Sequence, residues 1–220
     1  SKLPPDIEEE LEAQKMTART SGTVVSSYST PKQALKTKGF WALWLCWAFV
    51  GAAGIAMVSL SGKYALSIGL SSVTVLTAFN LTNGISRFVS GTISDLIGRN
   101  VTCMIAFILG GIGYLVLPYL RSLILVGIAA ACVGFAFGTL FSVTAARISD
   151  LFGFKHYSMI LSLVFSGYGL VGGLAGPALS GLLLSASGQS YILVFSVLGG
   201  FCLISAFFVM QVNPPKKKEY

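Results

Sequence analysis

The sequence predicts an all-α integral membrane protein with six transmembrane helices. Three observations support this fold class: a mean hydropathy of +0.79, a charged fraction of only 10% beside 54% apolar residues, and six long apolar runs. Soluble domains usually carry about 25% charged residues. A chain with so few charges would lack the polar surface that keeps a protein dissolved, so the solvent that fits this composition is lipid.

The six apolar runs define the predicted helices. Each run has about the 20 residues that a helix needs to cross ~30 Å of hydrocarbon. Strands of a membrane β-barrel would have about 10 residues and would alternate in polarity, and these runs do not alternate. The runs cover residues 39–62, 72–94, 101–119, 122–146, 157–184 and 190–212.

The segments at the two ends of the chain are polar. Residues 1–38 have an acidic cluster, a Ser/Thr-rich stretch and no apolar periodicity, and we expect a flexible cytoplasmic linker there. Residues 39–212 are the predicted six-helix unit, and 213–220 a basic cytoplasmic tail. Because the chain opens without an initiator Met or a signal peptide, we expect a fragment or the second part of a longer chain.

The positive charges predict the orientation. The clusters Lys36/Lys38 and Lys216–Lys218 bracket the six runs, whereas Lys63 and Arg121 fall on the other side. Since cytoplasmic segments are enriched in Lys and Arg, both ends are expected in the cytoplasm. The net charge of +7 is spread between apolar runs rather than gathered on one face, so nucleic acid is not an expected partner.

Cofactor and metal chemistry find no support in the sequence. The four cysteines lie inside apolar runs without CxxC spacing and are interpreted as small buried hydrophobes. No phosphate-binding GxxxxGK(S/T) pattern occurs, and the one histidine, His156, lies in a predicted loop. The cysteines are Cys46, Cys103, Cys132 and Cys202.

Glycines recur at four-residue spacing within the predicted helices, in the pairs Gly134/Gly138, Gly169/Gly173 and Gly172/Gly176. Small residues at this spacing let helices approach closely in lipid. Pro177 follows in mid-helix and removes a backbone hydrogen bond. A packing seam and a moving, kinked part of a gate both fit this pattern.

One charge lies deep in an apolar run: Arg87 is seven residues from the end of its run at Ser94. A charge at that depth costs at least ~2.5 kcal/mol. Asn80, Asn83 and Gly91 share its helical stripe, and no other run contains a carboxylate. Snorkelling to the headgroups remains one explanation. The other is a wet binding site, in which the planar guanidinium receives an anionic substrate.

The loop after the second run carries a charged, glycine-bearing pattern, Gly91-x-x-x-Asp95-x-x-Gly98-Arg99. Gly98 permits a tight turn, Gly91 a close helix approach, and Asp95 and Arg99 an ion pair with each other or with neighbouring helix ends. The loop around Arg147, Asp150, Gly153 and Lys155 repeats the theme. A cytoplasmic gate and ordinary loop capping are both compatible with it.

This pattern resembles the signature loop of the major facilitator superfamily, Gly-x-x-x-Asp-Arg-x-Gly-Arg-Arg. The chain departs from it at Leu96 and Asn100, which suggests a weakened latch. The resemblance implies a major-facilitator-type half built from two three-helix repeats.

Further residues resemble the oxalate–formate antiporter family, within the monocarboxylate-transporter-like group: Lys36 to Trp44 with Ala53-Gly54, Asn83 to Arg87 with Ser94-Asp95, and Gly176-Pro177. The likeness implies that Arg87 binds substrate and that the chain is a C-terminal half following a central loop. Oxalate transporters of that family carry a lysine where this chain has Tyr168. One cation instead of two favours a monocarboxylate, with Tyr168 as a hydroxyl donor or simply a packing residue.

The expected function is a secondary transporter half that moves a small organic anion by alternating access. Substrate would contact Arg87, Asn83, Asn80 and Tyr168. The expected partners are the lipid bilayer, the anion, and either a missing N-terminal half or a second copy, in a multi-pass protein of the plasma membrane. A membrane scaffold or receptor without transport activity is the alternative. An intramembrane enzyme would need paired catalytic groups at bilayer depth, which the runs lack.

Overall fold

The computed structural model of the chain describes residues 30–212. The predicted linker is therefore described only from residue 30 onward, and the predicted basic tail, 213–220, lies outside the described residues. Within them, one helical turn, Pro31–Ala34, precedes the long helices. Its Ala34 is fully buried in the core, so this end of the predicted linker is packed against the helices.

Six long helical segments follow, and no β-strand occurs in residues 30–212. Some segments contain short stretches of 3₁₀ or π geometry, but each segment is continuously helical. The segments are α1 (Lys38–Ser67), α2 (Ser72–Ile97), α3 (Arg99–Tyr119), α4 (Leu123–Phe152), α5 (Tyr157–Ala186) and α6 (Tyr191–Met210).

Five of these segments are long and apolar enough to cross a membrane. The exception is α2, which has 26 residues but is less apolar because Asn80, Asn83, Arg87 and several Ser and Thr residues interrupt it. The predicted all-helical membrane architecture is thus confirmed, and the predicted spans agree with five of the six helices.

Local sequence signals account for the helix boundaries. Thr37 caps the start of α1 by accepting a hydrogen bond from the backbone N–H of Phe40 at 3.2 Å. Between α2 and α3 the chain turns at Gly98, whose φ of +93° lies in a region that favours glycine. The tight turn predicted at Gly98 is therefore confirmed. Gly153, with φ +76°, ends α4 in the same way.

Two of the three predicted glycine pairs are packing seams. Gly134 and Gly138 of α4 face the backbone of α2 so closely that an added Cβ would overlap it. Gly172 and Gly176 of α5 face α1, where an added Cβ would lie 3.1 Å and 2.9 Å from backbone atoms of α1. In the third pair, Gly169 faces open space and Gly173 meets only its own helix.

Helices α4 and α5 each widen into a π-helical stretch, at Leu140–Thr144 and Tyr168–Ala175. Regular α-helix resumes in α5 at Gly176, directly before Pro177. The missing N–H of a proline is tolerated where a helical stretch begins. Stretches of π-helix interrupt the regular hydrogen-bond ladder and often mark functional positions.

The buried side chains form two core clusters at different heights of the bundle. One includes Phe40 and Phe152, and the other includes Tyr64 and Leu117. Phe141 and Tyr168 pack against both clusters. They therefore lie at the level where the two clusters meet, near the middle of the helices.

Candidate functional site

Arg87 lies on an exposed part of α2, and its guanidinium carbon is 4.8 Å from the centre of the Phe141 ring. This is cation–π distance. Asp95 and Asp150 are the sole carboxylates in residues 30–212, and both lie near Arg99 instead. Within the described part of the chain, Arg87 therefore has an aromatic partner and no acidic one.

The ring under Arg87 belongs to a group of five aromatic side chains from α1, α4 and α5, here called the aromatic group. Phe141 lies 4.9 Å from Trp47 and 5.4 Å from Tyr168, centre to centre, both in edge-to-face geometry. Arg87 and Tyr168, which the sequence predicts at one site, thus contact the same ring. The members of the group are Trp47, Phe137, Phe141, Phe165 and Tyr168.

Two glycines of α1 make room for this group. An added Cβ at Gly51 would lie 2.8 Å from the Tyr168 ring, and one at Gly54 would overlap the ring of Phe137. The rings therefore lie directly on the backbone of α1. Phe137 and Tyr168 both contact Phe141, so this packing restricts the position of the ring that contacts Arg87.

The predicted polar stripe of α2 is divided between two environments. Asn80 is exposed, as is Arg87. The Oδ1 atom of Asn83 is buried beside Gly138 of α4 and has no hydrogen-bond partner. Gly91 faces open space, so the close helix approach expected there is not made by the described residues.

A second polar cluster joins the ends of α2, α3, α4 and α6. Arg99 Nε lies 2.5 Å from Asp150 Oδ2, while Asp95 is 4.0 Å from Arg99 and its side chain is 72% exposed. The expected ion pairs of this loop are therefore present, and the closer one runs to α4. Arg147 is 4.0 Å from the same Asp150 oxygen.

Asn100, where the superfamily signature has a cation, binds the end of the last helix. Its Nδ2 donates to the carbonyl oxygen of Val212 at 2.8 Å, and Arg147 donates to the same oxygen, also at 2.8 Å. Since Arg99 and Arg147 already share Asp150, a neutral donor at position 100 avoids adding a third positive charge. The departure at Asn100 thus has a structural explanation.

Sequence reasoning missed the aromatic half of the site. Phe141, Trp47, Phe137 and Phe165 lie in apolar runs, where an aromatic residue is ordinary core material. The spacing of Phe137 and Phe141 by four residues places both on one helix face and was the available signal. Among residues 30–212 no cluster of three or more His, Cys, Asp or Glu suited to a metal ion occurs.

Comparisons with known proteins show what the chain is similar to. The sequence profile of the Major Facilitator Superfamily matches residues 39–220. The chain is similar to the oxalate:formate antiporter of Oxalobacter formigenes, with 31% identity over 126 residues, 55% of this chain and 30% of that protein. It is also similar to an uncharacterized transporter of Buchnera aphidicola, with 27% identity over 142 residues, 64% of this chain and 34% of that protein. The chain thus spans about a third of the length of both relatives.

Proposed function

The chain belongs to the Major Facilitator Superfamily of membrane transporters, and on that basis we propose that it is the C-terminal six-helix half of a secondary transporter for small organic anions. The observation that carries this proposal is the environment of Arg87. Its permanent positive charge lies over Phe141 at 4.8 Å, with no carboxylate of residues 30–212 beside it. An anionic guest would supply the missing negative charge.

The neighbouring side chains support a monocarboxylate. A guanidinium binds one carboxylate through two parallel hydrogen bonds. Within residues 30–212, Arg87 is the one cation that lies over a ring of the aromatic group. Tyr168, on the other side of Phe141, would add a hydroxyl donor. Asn80 and Asn83 would contribute amides from the α2 side. The similarity to a protein named for oxalate and formate supports the same substrate class.

Transport would proceed by alternating access, in which two six-helix halves rock about a site near the bilayer midplane. The position of Phe141 and Tyr168 between the two core clusters suits such a site. The second half would be an N-terminal unit or another copy of this chain. In the complete carrier, α2 would cross the membrane as well, which brings the number of spans in this half to six. Its polar side would be turned to the other half.

The cluster of Gly91, Asp95, Gly98 and Arg99 would stabilise the cytoplasmic end. Arg99 is held by Asp150, which leaves the exposed carboxylate of Asp95 free to contact the other half when the cytoplasmic side is closed. We propose that the ends of the described chain lie in the cytoplasm, following the distribution of Lys and Arg, and that the carrier belongs to the plasma membrane.

The direct test is Arg87→Ala in the intact protein reconstituted into proteoliposomes. Uptake of radiolabelled formate and acetate should fall at least tenfold, because hydrogen bonds to charged groups contribute about 1.5–3 kcal/mol. Arg87→Lys should retain part of the activity, since it keeps the charge but loses the planar fork.

Lys63→Ala is the matched control, because it removes an exposed cation at the far end of α1. It should leave uptake unchanged. Unaltered anion uptake by Arg87→Ala would refute the role of Arg87. A folded protein that moves none of these anions in any variant would favour the scaffold or receptor function instead.

A further inference from the structure

Three tryptophans lie at three-residue intervals along α1, and their indole N–H groups differ in whether they have a hydrogen-bond acceptor. Trp41 donates to the carbonyl oxygen of Leu35 at 2.9 Å. Trp44 donates to the hydroxyl of Ser166 at 3.1 Å. Trp47 Nε1 is buried and has no acceptor.

The unpaired N–H of Trp47 is unusual because the whole side chain is only 1% exposed. Buried polar groups in proteins almost always have hydrogen-bond partners, and one without a partner calls for an explanation. An indole N–H is a donor only. A hydrogen-bond acceptor that residues 30–212 do not supply would therefore stabilise the N–H of Trp47 best.

The location of Trp47 indicates where that acceptor comes from. Its ring lies 4.9 Å from Phe141 and 4.9 Å from Phe165, with Tyr168 at 6.2 Å. Phe141 is also the ring over which the Arg87 guanidinium lies. The indole ring that carries the unpaired N–H and the guanidinium of Arg87 thus contact the same aromatic ring.

We infer that the Trp47 N–H is a substrate donor, which binds the carboxylate of the guest anion together with Arg87. This inference rests on the proposed function and adds a specificity-determining residue to it. A carboxylate has two oxygens and about four lone-pair positions. It can therefore accept from the guanidinium and from the indole at the same time.

Two features of the neighbouring helices allow the guest to reach this N–H. Phe165 is 38% exposed, so part of this side chain lies at the surface of the described helices. Tyr168 begins the π-helical stretch of α5, and such stretches interrupt the regular helix and often occur at functional sites. Displacement of these two rings would open the side of Trp47 that they cover.

The test replaces Trp47 in the intact protein by 3-benzothienylalanine, which keeps the shape of the indole and has no N–H. Counterflow of formate and acetate is measured in proteoliposomes over a range of concentrations. The half-saturating concentration should rise about tenfold, which corresponds to about 1.4 kcal/mol. Trp47→Phe should act in the same direction, with its fold checked by thermal melting.

The same replacement at Trp44 is the matched control, because that N–H already has an acceptor in Ser166. It should leave the half-saturating concentration within about twofold. An unchanged value at Trp47 would overturn this inference, while loss of binding in Arg87→Ala would still uphold the proposed function. If Arg87→Ala also binds normally, both proposals fail.

Discussion

At the scale of single residues, the site depends on how one cation is accommodated among aromatic rings. The face of an aromatic ring carries negative potential and attracts a guanidinium. Phe141 thus stabilises Arg87 without neutralising it, which leaves its hydrogen-bond donors available. A carboxylate in the same place would form a closed ion pair and would compete with an anionic guest.

Phe141→Leu tests this role, because it removes the aromatic face and keeps much of the apolar volume. We expect the half-saturating concentration for formate to rise about twofold to thirtyfold, in line with the ~0.5–2 kcal/mol of a cation–π contact. Phe49→Leu is the control, since Phe49 stacks on Phe201 and lies outside the aromatic group. Equal effects of the two changes would contradict a specific role for Phe141.

At the scale of helices, glycine seams set the position of α2 relative to α4. Gly134 faces Phe79, and Gly138 faces Asn83 and Ser86. The side of α2 that carries these residues is thereby held against α4, which orients Arg87 toward Phe141. The GxxxG pair of α4 therefore positions the site as well as packing the bundle.

Gly138→Ala should destabilise the protein by about 1–3 kcal/mol, because the added methyl group would overlap the α2 backbone and force the helices apart. The measurement is the thermal melting temperature in detergent. Gly200→Ala in α6 provides the comparison, since an added Cβ there meets open space. It should be neutral or slightly stabilising, given the higher helix propensity of alanine. Equal tolerance of both substitutions would argue against the seam.

At the scale of the whole molecule, one polar cluster ties together the ends of three helices, and these ends are distant in sequence. Asp150 holds Arg99, and the carbonyl of Val212 receives hydrogen bonds from Asn100 and Arg147. The ends of α3, α4 and α6 are thereby joined. Such connections between helix ends would help the six helices to move as one rigid body when two halves rock.

Asp150→Asn should lower stability by about 1–3 kcal/mol, because it leaves Arg99 and Arg147 close together without their shared carboxylate. Asp95→Asn is the matched change in the same cluster. Its side chain is 72% exposed and 4.0 Å from Arg99, and exposed pairs contribute about 0–1 kcal/mol. Chemical or thermal unfolding of the purified protein distinguishes the two, and a larger loss in Asp95→Asn would contradict the assigned pairing.

The proposed orientation is tested with single cysteines at the two ends of the bundle. In intact cells, a membrane-impermeant maleimide should label Lys63→Cys and should reach Lys155→Cys only after permeabilisation. Both lysines are exposed, so reactivity reports the side of the membrane. Three native cysteines are buried, Cys46, Cys103 and Cys202, and the unmodified protein measures the background. The reverse labelling pattern would invert the orientation.

The residue sequence alone was sufficient to predict the helical membrane architecture and to single out Arg87 as the charge inside an apolar run. Apolar runs of about 20 residues predict membrane helices because the hydrocarbon thickness dictates their length. A charge inside such a run is conspicuous for the same reason. The loop of Asp95, Gly98 and Arg99 was also predictable, since its spacing places glycine at the turn and charges at the helix ends.

The environments of these residues were decided by tertiary packing. Phe141, Trp47 and Tyr168 come from three different helices, and an aromatic residue in an apolar run does not reveal which neighbours it will meet. Asn83 shares a predicted stripe with Arg87, yet its Oδ1 is buried against Gly138 while Arg87 is exposed. Periodicity places residues on a helix face, whereas the rotation of that helix against its neighbours follows from glycine contacts far apart in the chain.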